Sequence, residues 1–160
     1  ETGWGSKICR AEPEDLGTWS CVTDPRKYDS PLVFSHEGRI YLIGRRHLSE
    51  DGLYDLFLRD LTPEEQTQKY QIEYWYHPKR CSLWEVDPDT LEVTFVLDLP
   101  SRGDTCFAQV VPLGEPGRYR VYNYSSPVEA PDLDWIAGQT QPTHIYAATL
   151  SLPVPWGYEN

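Results

Sequence analysis

Two aspartates open what reads as the same local plan. Asp29 precedes Ser30 and an apolar run in "DSPLVFSHEGRIYLIGRR", and Asp104 precedes Thr105 and another in "GDTCFAQVVPLGEPGRYRVYNYSS". Two carboxylates flanking a glycosidic bond can serve as its general acid and base. An Asp before Ser or Thr equally caps a loop by accepting backbone N–H groups. The first run ends on Arg45 and Arg46. Strand neighbours point to opposite faces, so one of the two faces each side of its sheet. An arginine aimed into a site offers a planar fork to a carboxylate; on a surface it pairs with any of the chain's many acids. His36, His47, His77 and His144 are scattered without base–nucleophile spacing, which suggests no triad. There is no CxxC and no Cys/His cluster at zinc spacing, so neither a metal nor a cofactor is expected.

The elements that must position these residues read as strands. "LVFSHEGRIYLIGRR" gives two around a turn at His36-Glu37-Gly38, and "RCSLWEVDPDTLEVTFVLDLP" two more around Asp87 to Thr90. Leu83, Glu85 and Asp87 alternate with Trp84 and Val86, the pattern of a half-buried strand. "FAQVVPLGEPGRYRVYNYSS" is a further hairpin and "THIYAATLSL" a last strand. At the start, "KICRAE" and "TWSCVTD" bracket a turn over Pro13 to Gly17. About nine strands, nearly all joined by tight turns, make the chain all-β. Thr62-Pro63-Glu64-Glu65 combines an N-cap, a proline at the first helical position and a capping-box glutamate, which predicts a short helix in an inserted loop. Pro127 to Pro142 reads as a long ordered loop.

The two Asp-led hairpins share Asp-Ser/Thr, an apolar strand, a Gly-Arg turn and an aromatic-rich strand, and after an insertion each is followed by another apolar strand. Repeated four-stranded antiparallel units are the mark of propeller blades, whereas a sandwich would hold two unrelated hairpins. A ring needs about four to eight blades. This chain offers the last two strands of one blade, one whole blade and three strands of another. Its ring must then be completed by another chain or by further copies, since open edges invite association. The 160 residues suit one domain. Residues 1–6 read as a tail, with Glu1-Thr2-Gly3 either a vector remnant or a native end; 7–152 as blades; and 153–160 as a second tail.

Acids outnumber bases 25 to 14, for a net charge of −11. That excess repels phosphate backbones, and nucleic acid is not an expected partner. No apolar run approaches a membrane span and no signal peptide is read. Cys9 and Cys21 flank a short turn and could pair across neighbouring strands, leaving Cys81 with Cys106; four buried thiols of a cytosolic domain are the alternative. Asn123-Tyr124-Ser125 is an N-glycosylation sequon. Together these point to an extracellular protein.

"DSPLVFSHEGRIYLIGRR", "GDTCFAQVV" and "YNYSS…THIYAATLSL" resemble late blades of sialidase-like β-propellers. "EPEDLGTWSCV" is similar to a degenerate Asp-box, lacking its Ser and one residue short before Trp19. The resemblance covers most of Lys7 to Leu152. It implies a rim site for acidic glycans, with Asp29 and Asp104 pointing to a central channel and an inward arginine, Arg45 or Arg46, on a sugar carboxylate. Sialidases use a tyrosine nucleophile, a role for which Tyr124 is the candidate here. The alternative is a non-catalytic secreted propeller that binds another protein through loop aromatics, with Tyr54, Phe57, Trp135 and Ile136 as candidate anchors.

Overall fold

Glu37 and Gly38 reverse the chain with φ of 49° and 75°, the left-handed pair whose twist matches the flanking strands of a two-residue hairpin. The hairpin joins β3 (Asp29–His36) to β4 (Arg39–His47). The computed structural model describes residues 5–49 and 60–154. Among these, nine strands form three antiparallel sheets. β1 (Ser6–Glu12) and β2 (Asp15–Asp24) make a two-stranded sheet. β5 (Lys79–Val86) and β6 (Val93–Asp98) extend β3 and β4 into a four-stranded meander, in order β3-β4-β5-β6. β7 (Gln109–Pro112), β8 (Arg118–Ser125) and β9 (His144–Ser151) make a three-stranded one. The all-β expectation holds, with strands grouped two, four and three.

Several boundaries differ from expectation. The first turn is only Pro13-Glu14, because β2 already begins at Asp15, and Ser6 is strand rather than tail, paired with Asp24. β5 is not half-buried but buried on both faces. It lies between β4 and β6, and each of its faces meets a core. Cys81 and Leu83 join Tyr41 and Ile43 of the same sheet and Val121 and Leu150 of the three-stranded sheet. Trp84 and Val86 turn the other way, to Tyr28, Leu42 and Val93, with Ile8 of β1 packed on top. The predicted short helix, α1 (Pro63–Trp75), runs 13 residues. Its capping box is formed: the Glu65 N–H donates to Thr62 Oγ1 at 3.3 Å and the Thr62 N–H to Glu65 Oε2 at 2.9 Å. It extends beyond one turn because Gln66, Tyr70 and Tyr74, four residues apart, are buried along one face. The Pro127–Pro142 loop contains one helical turn, α2 (Trp135–Gly138), capped by Asp134 accepting from the Ala137 N–H at 2.7 Å. No helix among the described residues is long and apolar enough to cross a membrane.

Both expected disulfides are present. Cys9 and Cys21 face each other across β1 and β2, and Cys81 is joined to Cys106 inside the core between the larger sheets. A lone two-stranded hairpin is marginal in water, so the first bond holds the small sheet together. The second ties β5 to the chain entering β7. Replacing Cys81 and Cys106 together by Ala should cost about 2–4 kcal/mol in urea titration. Finding four free thiols by mass mapping without reductant would contradict both bonds.

Candidate functional site

Antiparallel pairing brings the start of β3, the end of β4 and the start of β5 to one rim, and the Arg45–Asp104 and Tyr124–Asp104 contacts set the end of β8, in the neighbouring sheet, beside it. Asp29 sits at the first of these, opposite Arg45 in the β3–β4 register. The register shifts between Asp29 and Leu32, and Ser30 has φ of 54°. Arg45 is 8% exposed. Its Nε donates to the Tyr74 hydroxyl at 2.9 Å and its Nη1 to the Thr105 carbonyl at 3.3 Å. Nη1 also lies 3.5 Å from Asp104 Oδ1. Burial works against this cation, but Tyr74, Asp29 and Tyr124 around it hold its pKa above the ordinary arginine range.

Asp104 is the hub on the other side. Its Oδ1 accepts from the Tyr124 hydroxyl at 2.7 Å and from the Trp135 indole N–H at 2.9 Å. Burial, then the hydrogen bond to Asp104, pushes the Tyr124 phenol up to about 12. That phenol is protonated at neutral pH, and the carboxylate beside it is placed to take its proton. The segment carrying Asp104 is unusual in backbone: Cys106 and Phe107 have φ of 82° and 80°. Left-handed non-glycine residues carry strain that surrounding structure must hold; here the Cys81–Cys106 bond and the Cys106 N–H donating to the Tyr124 carbonyl do so. Gly138 explains how α2 reaches the site. A Cβ there would fall 2.1 Å from the Asp104 nitrogen, so only glycine lets α2 lie against this segment and set Trp135 over Asp104.

Tyr74, in the last turn of α1, enters from the opposite insertion. Its hydroxyl is hydrogen-bonded to Asp29, and burial, then the Asp29 charge, raises its pKa well above the usual value. Lys79 supports it from below: fully buried, its Nζ lies 4.0 Å from the Tyr74 ring centroid and donates to the Tyr74 and His77 carbonyls at the end of α1. The Arg45 guanidinium lies 5.4 Å from the Trp135 ring centroid and 6.0 Å from that of Tyr74.

Of the sequence candidates, Asp29, Arg45, Asp104 and Tyr124 therefore converge. Arg46 does not: it points to the other face and forms a bidentate pair with Asp98, at 2.8 and 2.7 Å. Asn123 faces inward from the middle of β8, 3% exposed, with Nδ2 on the Tyr124 carbonyl. The glycan expected there has no acceptor at the surface of this fold, because Asn123 shares the buried face of Val121. Trp135 belongs to the polar cluster rather than to a separate interface, whereas Ile136 beside it is exposed. Tyr54 and Phe57 lie outside the described residues. Sequence reasoning missed Tyr74 and Lys79. The signal was the shared place of the insertions: each falls between the second and third strands of a repeat, so each returns at this rim. Compared with known protein families, curated proteins and solved structures, the chain matches none.

Proposed function

We propose that the chain is part of an extracellular sialidase-like β-propeller whose rim site binds and cleaves an acidic glycan. The observation that carries the reading is the Tyr124 hydroxyl, 2.7 Å from Asp104 Oδ1, with Arg45 3.5 Å from the same oxygen. A nucleophile bonded to its base, with the base oriented by further donors, is the arrangement covalent catalysis requires. In this mechanism Tyr124 Oη attacks the anomeric carbon while Asp104 takes the phenolic proton. The glycosidic bond breaks as the departing oxygen takes a proton from solvent, while the charge of Asp29, the other carboxyl of the rim, favours the positive charge that grows on the sugar ring. Water then releases the sugar by the reverse transfer. Nε and Nη1 of Arg45 donate within the chain, and the fork so held is the group that would meet the sugar carboxylate. The four-stranded meander flanked by two and three strands supports the propeller part, as do the insertions at equal places in both repeats; the two disulfides support an oxidising compartment.

Tyr124→Phe should leave sialyllactose binding within about twofold of the unchanged protein and lower fluorogenic sialoside hydrolysis at least about a hundredfold. Equal hydrolysis by both proteins would remove Tyr124 from the chemistry. One observation favours the non-catalytic alternative. Phe107, 66% exposed, stacks on Tyr124 with centroids 5.8 Å apart, and an exposed aromatic beside a site makes an interface anchor. A chain that binds without hydrolysing any of a panel of sialosides and neutral glycosides would favour that alternative.

A further inference from the structure

The small sheet covers only half of its neighbour. Ile8 of β1 packs on the cluster holding Trp84, Val86 and Val93. Arg10 donates to the Pro88 carbonyl at 2.7 Å and Arg26 to the Val93 carbonyl at 2.8 Å. β1 and β2 thus lie over the β5–β6 side. Over the β3–β4 side runs a groove of about 1000 Å³, floored by Pro31, Val33, Ile40 and Leu42, which continues under the small sheet to Val86 and Leu91. Its wall is the consecutive run from Gly5 to Arg10. Successive strand residues point to opposite faces, so a run of both parities lines one groove only where the strand's edge faces it. β1 pairs with β2 alone among the described residues, and its other edge therefore opens onto an apolar floor two strands wide.

We infer that this groove receives a β-hairpin from a separate polypeptide, which pairs through one strand with the open edge of β1 and sets alternate apolar side chains on Val33, Ile40 and Leu42. The result is a four-stranded sheet like the one beside it, in which β4 meets β5 as the arriving strand would meet β1. Main-chain pairing supplies affinity and the alternate side chains specificity, as in other strand additions. The Cys9–Cys21 bond has a clear use here, since it keeps β1 extended before its partner arrives. The inference rests on the blade reading but not on the glycan site.

A synthetic peptide of residues 29–47, the inner hairpin of the complete four-stranded sheet, is the probe. It should bind the chain saturably, and at tenfold excess over its Kd should slow hydrogen exchange of amides within Ser6–Arg10 about tenfold. Val33, 62% exposed on the groove floor, can be changed without disturbing a core. Val33→Asp in the chain should abolish binding, while Val33→Thr, of similar shape, should retain it. Sialyllactose binding by Val33→Asp should be unchanged, which separates failure here from failure of the glycan site. The inference is overturned by absence of peptide binding, or by slowing at the β6 or β9 edges instead. It is equally overturned if sedimentation shows two copies already paired through β1, since the occupant is then a second copy.

Discussion

Arg45→Ala is expected to lose about 3–5 kcal/mol of folding stability, the usual result when one member of a buried ion-pair network is removed. The reason is local. Asp104 would keep its bonds from Tyr124 and Trp135 but lose the only cation of the rim that an ion pair joins to it among the described residues. The Thr105 carbonyl and the Tyr74 hydroxyl would each lose a donor. Stability alone does not test the function, and Arg45→Lys separates the two. Lysine keeps the charge under Asp29 and Asp104 but has no fork, so it should recover part of the stability and none of the binding. Sialyllactose affinity should fall by about 2–5 kcal/mol in both variants, mainly through faster dissociation. Calorimetric titration with urea denaturation of the same samples provides the measurement. Full affinity in Arg45→Lys would show that Arg45 does not hold the sugar carboxylate.

The second large effect is a pH dependence of stability from Lys79. Burial, with Arg45 as a neighbouring cation, pulls its pKa down to about 7, against weaker opposite pulls from Asp29 and Asp134. An unfolded lysine titrates near 10.4. Between those values the unfolded chain holds a proton that the folded chain has released, so stability rises with pH, by up to about 1.4 kcal/mol per unit. Below pH 7 both states are protonated and this contribution is flat. Above pH 10 the slope reverses, because Tyr28, Tyr74 and Tyr124 have raised pKa values and the folded chain then holds protons the unfolded chain gives up. Lys79→Met should abolish the rise between pH 7 and pH 10 and leave the fall above pH 10. Urea midpoints across pH 6 to 11 for both proteins check this; parallel profiles would refute it.

The strands were legible because their signals are short-range. Alternation, the Glu37-Gly38 turn and the Thr62-Pro63 cap each act within a few residues. The convergence of Asp29, Arg45, Asp104 and Tyr124 was legible only through repetition, since two copies of one plan place equivalent residues alike. Arg45 and Arg46 could not be told apart, because alternation says that they diverge but not which faces the rim. β5 read as half-buried because Glu85 and Asp87 suggest a wet face. Arg39 reaches Glu85 at 3.2 Å at the exposed end of the strand, and Asp87 is beyond it, accepting from the Asp89 and Thr90 N–H groups. The burial of Asn123 was not legible, because a sequon is a local pattern and burial is not. Tyr74 is tied to its strand partners by contacts across an insertion, and no local pattern reports that.

β5 has a consequence for which changes in length the chain can survive. Within one strand it sets Lys79 beneath Tyr74, Cys81 in its bond to Cys106, Ser82 donating to Asp98 at 2.6 Å, and Leu83 and Trp84 into two different cores. One residue gained or lost between Lys79 and Trp84 would turn everything beyond it to the opposite face. The rim, the disulfide and both cores would be lost to a single frame-preserving event. The neighbouring stretch from Asp87 to Glu92 projects as a turn and has no such obligation, and the insertion carrying α1 needs only to return Tyr74. Length variation among natural variants of this chain should therefore gather in residues 87–92 and in the segment before Pro63, and stop abruptly at Lys79.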